Sequence, residues 1–272
     1  MTSRELFLTS ILGCRRVDLY VNPRPLTLEE ENRLADMEAR LNAGEPPQYI
    51  VGSSEFLGLL FAVDHRVLIP RPETEILVDS AVHLLVEQFP SVPSLKFLDI
   101  GTGSGNIAVS LAKSFATSDT TAIDISPDAL AVAHHNATVH GVADRIHFQF
   151  TDVRTYFVSQ AKGQAPFDAI FSNPPYISTH QLSSLPLDVQ HEPHGALDGG
   201  ADGLYYLRYI IQQGGHFLRP GGFLFLEIGD GQAAAVTEIF KTTSFSAPVF
   251  IKDHVGTQRV VWARRQGSDT NS

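Results

Sequence analysis

The chain has 272 residues, of which 43% are hydrophobic and 18% are charged, and its formal net charge is −10. This composition is typical of a globular protein with a substantial core and excludes disorder over most of the chain. Sequence-independent binding to nucleic acid requires clustered Lys and Arg side chains. No basic run is longer than the pairs Arg15-Arg16 and Arg264-Arg265. The charge pattern therefore predicts no direct nucleic-acid substrate.

Cysteine usage and hydropathy bear on the compartment. Cys14 is the single cysteine, which excludes an intramolecular disulfide and fits a reducing compartment. Residues 8–14 are similar to a lipoprotein cleavage site, but the apolar run is short and directly follows Glu5. We interpret this segment as an amphipathic helix. No segment approaches the ~20 apolar residues of a membrane span, so the sequence predicts a cytoplasmic protein that does not act at a membrane.

The first part of the chain is predicted to form two small units. Residues 1–47 have a helical pattern, in which Thr27 can cap a helix that has three acidic residues in its first turn. Residues 48–69 contain the β-prone pieces YIVG, LLFAV and RVLI, separated by Gly52 and Gly58. This pattern predicts a β-hairpin linker after a small helical domain.

From position 70 the pattern changes to alternating strands and helices, and we expect 70–266 to form one domain. A helix opens at Glu73 or Thr74, and another has Ser126 as its N-cap and Gly141 just beyond its end. The predicted strands are 96–100, 120–124, 145–150, 167–172, 222–228, 248–252 and 258–264. Strands separated by helices form an α/β fold with a doubly wound, mostly parallel sheet. Residues 267–272 are predicted to be a disordered tail.

A glycine-rich turn follows the first strand of this domain. In open α/β sheets, ligands bind at the carboxyl ends of the strands. Glycines there let the backbone approach a ligand, and the next helix offers free N–H groups. The candidate binding residues of this turn are Gly101, Thr102, Gly103, Ser104 and Gly105. Such a turn also binds dinucleotides in other proteins and can be a plain tight turn, so by itself it does not identify the ligand.

Acidic residues follow the next two strands. Asp124 ends the second strand, where a carboxylate can accept both ribose hydroxyls. NAD-binding folds share this arrangement, so Asp124 indicates a nucleoside without choosing one. Asp152 follows the third strand and is placed to meet an adenine amino group, with Val153 against the ring. A single Asp at such a position is also a common turn residue, so Asp152 has weight only together with the other residues.

The motif Asn173-Pro174-Pro175-Tyr176 directly follows the fourth strand. Consecutive prolines have no N–H donors, so their carbonyl groups can face outward as acceptors. Asn173 adds a side-chain carbonyl group, and Tyr176 adds a flat stacking surface. These groups predict a catalytic slot that holds a planar –NH₂ group by both its hydrogens. The position at the end of a strand argues against the alternative, a simple β-turn.

This motif resembles that of amino-group methyltransferases, and the chain as a whole is similar to the HemK/PrmC family. The strings that carry the resemblance are PPQYIVGSSEF (46–56), VLIPRPETE (67–75), DIGTGSGNIA (99–108), SNPPYI (172–177), EPHGALDGGADGL (192–204), LRPGGFLFLEIG (218–229) and DHVGTQRV (253–260). The resemblance implies a Rossmann-like class I methyltransferase. It also implies methyl transfer from S-adenosyl-L-methionine to the N5 of the glutamine in the Gly-Gly-Gln motif of peptide chain release factors.

The resemblance also implies roles for individual residues. Residues 101–105 would line the methionine part of the cofactor, Asp124 would hold the ribose, and Asp152 with Val153 would border the adenine. Asn173 would contact both cofactor and substrate, and residues 174–176 would grip the glutamine. Arg71 would shape the entrance, and 1–47 would dock the substrate protein. Members of this family usually carry a further leading helix, which we expect this chain to lack.

Other functions are compatible with parts of the pattern. An adenine-N6 DNA or RNA methyltransferase shares the slot, but neither a basic groove nor a base-recognition domain is visible. A non-enzymatic nucleotide-binding protein would have no use for the slot. His191, Glu192, His194 and Asp198 lack a recognised ligand spacing, so no metal site is predicted. A Ser-His-Asp hydrolase is disfavoured because no Gly-x-Ser-x-Gly elbow follows a strand.

Overall fold

A computed structural model describes residues 1–90, 94–159 and 167–267. The helices are α1 (Ser3–Leu12), α2 (Asp18–Val21), α3 (Leu28–Asn42), α4 (Pro47–Val51), α5 (Pro72–Gln88), α6 (Asn106–Ser114), α7 (Pro127–Val139), α8 (Val153–Ser159), α9 (Leu187–Gln190), α10 (His194–Leu197), α11 (Tyr205–Gly214) and α12 (Ala233–Phe240). The strands are β1 (Ser53–Phe56), β2 (Leu59–Ala62), β3 (Lys96–Ile100), β4 (Asp119–Asp124), β5 (Ile146–Phe150), β6 (Phe167–Ser172), β7 (Leu218–Glu227), β8 (Val249–Lys252) and β9 (Gln258–Arg264). Beyond Gly267, the predicted disordered tail lies outside the described residues.

Helices α1, α3 and α4 pack together at the start of the chain. Two of them begin with a capping box, in which an N-cap threonine and a glutamate three residues later bond each other's backbone N–H groups. These pairs are Thr2 with Glu5 and Thr27 with Glu30, so the predicted cap at Thr27 is confirmed. A small apolar cluster joins the three helices; its buried members are Phe7, Ile11, Leu34, Met37 and Ile50.

The prediction of β structure for 49–52 is wrong, because most of this segment belongs to helix α4. Pro47 lies in the first turn of α4, where its fixed φ suits a helix and its missing N–H removes no bond. Tyr49 and Ile50 are buried, each in a different apolar cluster. Packing on both sides therefore overrides the strand propensity of these residues. The predicted β-prone piece RVLI at 66–69, which the structure describes, forms no strand either.

Strands β1 and β2 form the predicted hairpin and pair antiparallel from Ser53 opposite Ala62 to Phe56 opposite Leu59. Phe56 and Phe61 are both 0% exposed and belong to the same apolar core as β3 and α5. Their rings meet edge to face, with centroids 6.0 Å apart. The hairpin is thus packed into the core of the sheet.

The central sheet has seven strands in the order β5-β4-β3-β6-β7-β9-β8. The first five strands of that order pair in parallel, and β9 is antiparallel to both of its neighbours, β7 and β8. Helices α5, α6 and α7 cover one face, and α8, α11 and α12 cover the other. The predicted doubly wound, mostly parallel sheet is confirmed. Within the described ranges, no helix has the length and hydrophobicity needed to cross a membrane.

Asn136 on α7 connects the hairpin with the glycine-rich turn. Its Oδ1 accepts the N–H of Ala62 at 2.8 Å, and its Nδ2 donates to the carbonyl groups of Ala62 at 3.0 Å and Ser104 at 2.9 Å. The side chain is 1% exposed. One buried amide thus satisfies three backbone groups from two separate segments.

We expect Asn136→Ala to lower the free energy of unfolding by about 2–4 kcal/mol, because each buried backbone group left unpaired costs about 1–3 kcal/mol. Chemical denaturation of the purified protein measures this change. His135→Ala, on the exposed side of the same helix, is the matched control and should change stability little. Equal stability of the two variants would show that water replaces the Asn136 bonds.

Candidate active site

A cleft with about 1130 Å³ of empty space, part of it open to solvent, lies at the carboxyl ends of β3, β4 and β6. Most of the predicted site residues line it: Gly101, Thr102, Gly103, Ser104, Asp124, Asp152, Val153, Asn173, Pro174, Pro175 and Arg71. Gly105 and Tyr176 are not among the lining residues. Gly105 lies against α7, where an added Cβ would be 3.1 Å from the Cβ of Ala133. The structure therefore brings most of the predicted residues together at the cleft, whereas Gly105 and Tyr176 do not line it.

The glycine-rich turn presents bare backbone to the cleft. Gly101 and Gly103 have φ angles of 71° and 54°, which favour glycine. A Cβ on Gly101 would point into open space, so a side chain there would occupy the cleft. Asp99, fully buried beneath the turn, accepts the Thr102 hydroxyl at 2.7 Å, and burial raises the pKa of Asp99 to about 7. The turn thus has a fixed shape with room for a ligand against its backbone.

Asp124 links the glycine-rich turn to the next helix. Its Oδ2 accepts the N–H of Gly103 and its Oδ1 accepts the N–H of Ser126, both at 2.9 Å. Burial raises the pKa of Asp124, and the backbone N–H groups oppose this shift. Ser126 caps α7 through the N–H of Ala129, so the cap is provided by Ser126, as predicted. The carboxylate of Asp124 keeps further lone pairs for hydroxyl donors in the cleft.

Asp152 lines the cleft just beyond the end of β5, and its carboxylate forms an ion pair with Arg154. The Nε of Arg154 donates to its Oδ1 at 2.9 Å, and this pair lowers the pKa of Asp152. Arg154 also donates to the hydroxyl of Tyr205 at 2.8 Å. Val153 is buried beside Asp152, and Tyr206 adds to the lining nearby. This end combines a fixed anionic acceptor with apolar surface.

The Asn-Pro-Pro-Tyr loop is held from behind by buried polar groups. The Nδ2 of Asn173 donates to the Oγ1 of Thr74 at 3.1 Å. Thr74 in turn donates to the Oε2 of Glu227 at 2.5 Å, and the hydroxyl of Tyr176 donates to the Oε1 of Glu227 at 3.1 Å. The Nε2 of Gln232 donates to the carbonyl oxygen of Tyr176 at 3.0 Å. The loop therefore has its side chains and its backbone fixed from below.

The segment around Arg71 forms a further wall of the cleft. Arg71 pairs with Glu192, which also accepts the N–H of Ile69 at 3.0 Å. Glu192 is buried, which raises its pKa, while the Arg71 guanidinium acts in the opposite direction. The hydroxyl of Tyr49 donates to the carbonyl oxygen of Val67 at 2.6 Å. Glu192, considered above among possible metal ligands, is thus a partner of Arg71.

Sequence reasoning missed Thr74 and Glu227 as parts of the site. Glu227 ends the buried strand β7 at the same edge as Asp124 ends β4. An acidic residue at the end of an apolar strand was therefore an available signal. Thr74 gave no comparable signal, because its contact with Glu227 joins positions 153 residues apart in sequence. Among the described residues, no three His, Cys, Asp or Glu side chains are grouped so that they could hold a metal ion.

Comparison with known proteins agrees with this geometry. The family model described as methyltransferase small domain matches residues 75–188, and the PrmC N-terminal domain matches residues 2–52. A methyltransferase structure from Pyrococcus furiosus superimposes with a TM-score of 0.54 at 18% identity, over 86% of this chain and all of that one. The fold and the cleft at its strand ends define a Rossmann-like methyltransferase.

Two relatives narrow this class to a family. The release factor glutamine methyltransferase of Geobacter sulfurreducens is 41% identical over 262 residues, which cover 96% of this chain and 88% of the relative. The protein of the same name from Agrobacterium fabrum is 38% identical over 267 residues, covering 97% of this chain and 90% of the relative. The chain belongs to the release factor glutamine methyltransferase family, whose members depend on S-adenosylmethionine.

The cleft fits this cofactor by its shape and by its polar groups. The bare backbone of Gly101 leaves space where a side chain would stand. Asp124 and Asp152 provide acceptors at the ends of the adjacent strands β4 and β5, one next to the glycine-rich turn and one next to apolar surface. A nucleoside with a charged amino-acid tail requires this combination of acceptors, apolar surface and close backbone.

We expect Asp124→Asn to raise the dissociation constant for S-adenosylmethionine at least ~10-fold, because a hydrogen bond to a charged group contributes about 1.5–3 kcal/mol. Asparagine keeps one acceptor oxygen for the turn, so the fold should be less disturbed than by alanine. Isothermal titration calorimetry measures the change. Asp128→Asn, on the exposed first turn of α7, is the control. Wild-type affinity of Asp124→Asn would remove Asp124 from the binding site.

Proposed function

We propose that the chain transfers a methyl group from S-adenosylmethionine to the side-chain amide nitrogen of the glutamine in the Gly-Gly-Gln motif of peptide chain release factors. The observation that carries this proposal is the orientation of Asn173. Its Nδ2 is engaged by Thr74 on the buried side, and no described residue bonds its Oδ1. Asn173 lines the cleft, so a free carbonyl oxygen is available there to accept an N–H of a substrate amide.

An amide nitrogen is a poor nucleophile because its lone pair is delocalised into the carbonyl group. In the proposed mechanism, the Oδ1 of Asn173 and the carbonyl oxygen of Pro174 each accept one N–H of the substrate. These two acceptors raise electron density on nitrogen and hold it in line with the methyl group. Tyr176 supports the slot from behind. The nitrogen releases its extra proton after the transfer, so no strong general base is needed.

The chain provides a cradle for the methyl donor. S-adenosylmethionine, when bound, supplies a methyl group on a positively charged sulfur. We assign the methionine part to residues 101–105, the ribose to Asp124 and the adenine to Asp152 with Val153. Asn173 would then lie between donor and substrate. Arg71, fixed by Glu192, would shape the entrance.

The identity of the partner protein, a release factor, is the more specific part of this proposal. Its support is the family membership, since the relatives carry the name release factor glutamine methyltransferase. Residues 2–52 match the PrmC N-terminal domain and contain helices α1 to α4, which precede the strands of the central sheet in the chain. We assign the docking of the partner to this helical part, while the Gly-Gly-Gln loop enters the cleft as a short flexible strand.

Asn173→Ala should lower kcat by about 10²–10³-fold, because one preorganised hydrogen-bonding group at a reacting centre contributes a factor of that size. Transfer of radiolabelled methyl groups to a purified release factor measures the effect. Binding of S-adenosylmethionine should change far less. Gln149→Ala, which removes an exposed amide on β5, should leave turnover unchanged. Near-normal turnover by Asn173→Ala would mean that the substrate amide is held elsewhere.

Deletion of residues 1–46 tests the docking assignment. This cut keeps Tyr49, whose hydroxyl holds Val67 at the wall of the cleft, and it keeps the core residues Phe56 and Phe61. The shortened chain should bind S-adenosylmethionine but methylate intact release factor poorly, because it lacks remote contacts that position the reacting group. A short Gly-Gly-Gln peptide should be a weak substrate for both chains. Equal activity of the two chains on intact release factor would show that the helical part does not select the partner.

A further inference from the structure

A carboxyl group without access to solvent lies directly behind the Asn-Pro-Pro-Tyr loop. Glu227 is 1% exposed and ends β7, beside β6, whose end leads into the loop. Its two oxygens receive hydroxyl groups from Thr74 and Tyr176. Burying a carboxylate is unfavourable unless it is hydrogen-bonded, so its presence at this position calls for a physical explanation.

The direction of each hydrogen bond behind the loop follows from the carboxylate. An ionised carboxylate only accepts, so Thr74 must give its single hydroxyl hydrogen to Glu227. The oxygen of Thr74 is then left as an acceptor, and it can only receive a hydrogen from the side chain of Asn173. Asn173 accordingly turns its Nδ2 inward, 3.1 Å from Thr74. Its carbonyl oxygen is left facing away from Thr74.

This direction matters for the chemistry of the slot. With the amide of Asn173 reversed, its carbonyl oxygen would meet the lone pairs of Thr74, and its NH₂ group would meet the NH₂ group of the substrate. Two donors facing each other form no bond. The slot binds an amide nitrogen by its hydrogens only in the orientation that the ionised carboxylate enforces.

The same carboxylate fixes the second member of the motif. The hydroxyl of Tyr176 donates to the Oε1 of Glu227 at 3.1 Å. Burial and the adjacent Glu227 raise the pKa of Tyr176, so the phenol stays neutral and remains a donor. The side-chain amide of Gln232 holds the carbonyl oxygens of Tyr176 and Gly203. Both ends of the Asn-Pro-Pro-Tyr loop therefore depend on one buried acid.

We propose that Glu227 is a positioning residue for methyl transfer, which sets the amide orientation of Asn173 through Thr74 and holds Tyr176 directly. This inference rests on the proposed function, in which Asn173 accepts an N–H of the substrate amide. Glu227 itself touches neither cofactor nor substrate in this account. Glu227 determines which group donates and which accepts in the hydrogen bond between Thr74 and Asn173.

Protonation of Glu227 would reverse the direction of these hydrogen bonds. The charged and titratable groups that act on it are Glu73 from α5, Arg259 from β9 and Tyr176 from the loop. Burial raises the pKa of Glu227 to about 7, and the bonds from Thr74 and Tyr176 act in the opposite direction. A protonated Glu227 can donate to Thr74, whose own hydrogen then turns toward Asn173. Turnover should therefore fall as the pH drops below about 7.

Stability should follow the opposite trend. The pKa of Glu227 in the folded protein lies above its ordinary value of 4.5, so folding favours the protonated form. The stabilisation from this shift is fully present below about 4.5 and is lost as the pH rises through about 7. Asp99 titrates in the same range with the same sign, so variants of Glu227 are needed to assign the effect.

The test compares full-length wild type with Thr74→Val, Thr74→Ser and Glu227→Gln, using purified release factor and S-adenosylmethionine. Thr74→Val keeps the side-chain shape but removes the hydroxyl, so kcat should fall by about 10²-fold, as expected for a misplaced reacting group. Thr74→Ser restores the hydroxyl and should recover most of the turnover. Glu227→Gln should reduce kcat and remove the fall in turnover below neutral pH. The dissociation constant for S-adenosylmethionine should stay within about threefold in all of these variants, as expected for residues that act on the reacting nitrogen.

The outcomes separate this inference from the proposed function. If wild type methylates the release factor and Thr74→Val does so at the same rate, Glu227 does not position Asn173 and the inference is wrong. An unchanged pH profile in Glu227→Gln overturns it as well. If wild type binds S-adenosylmethionine but leaves the glutamine unmodified, the proposed function fails and the inference fails with it. Should Glu227→Gln not fold, the pair Thr74→Val and Thr74→Ser still decides the question. Glu238→Gln, an exposed acid on α12, is the matched control and should leave both rate and profile unchanged.

Discussion

The parallel register of β4, β3, β6 and β7 is the constraint on which the site depends. Ile100 pairs with Ile123 on one side and with Ser172 on the other, and Ser172 pairs with Leu226. The residues that follow these positions are therefore neighbours at one edge of the sheet, although they are far apart in sequence. They are the glycine-rich turn, Asp124, the Asn-Pro-Pro-Tyr loop and Glu227. A shift of one residue in any of these pairings would turn a site residue to the other face of the sheet.

Two carboxyl groups, those of Asp99 and Glu227, are buried near this edge of the sheet. Asp99 and Glu227 are almost without solvent exposure, and burial raises the pKa of each to about 7. A core built for stability alone would place apolar residues at such positions, because buried carboxyl groups are costly. Both acids instead hold parts of the loops that line the cleft, through Thr102 and Thr74. Their placement is consistent with a site in which orientation of polar groups matters more than stability.

Local sequence signals predicted the elements whose conformation depends on local chemistry. The bounds of β3 and the cap at Ser126 match the prediction, because a short apolar run and a helix cap are properties of neighbouring residues. Residues 49–52 were predicted to be extended and are mostly helical, because packing against two clusters decides their conformation. The roles of Thr74 and Glu192 also escaped prediction, because their partners lie on distant segments. Most of the residues predicted from the sequence line the cleft, whereas the hydrogen bonds that support them became visible only in the structure.

The central claim is that the slot beside Asn173 holds the amide of a protein glutamine during methyl transfer. Fragmentation mass spectrometry of a release factor, after incubation with the full-length chain and S-adenosylmethionine, tests this claim most directly. We expect one added methyl group, located on the side-chain nitrogen of the Gly-Gly-Gln glutamine. A release factor that stays unmodified, while adenine in duplex DNA or in RNA gains the methyl group under the same conditions, would show that the slot does not hold a protein glutamine.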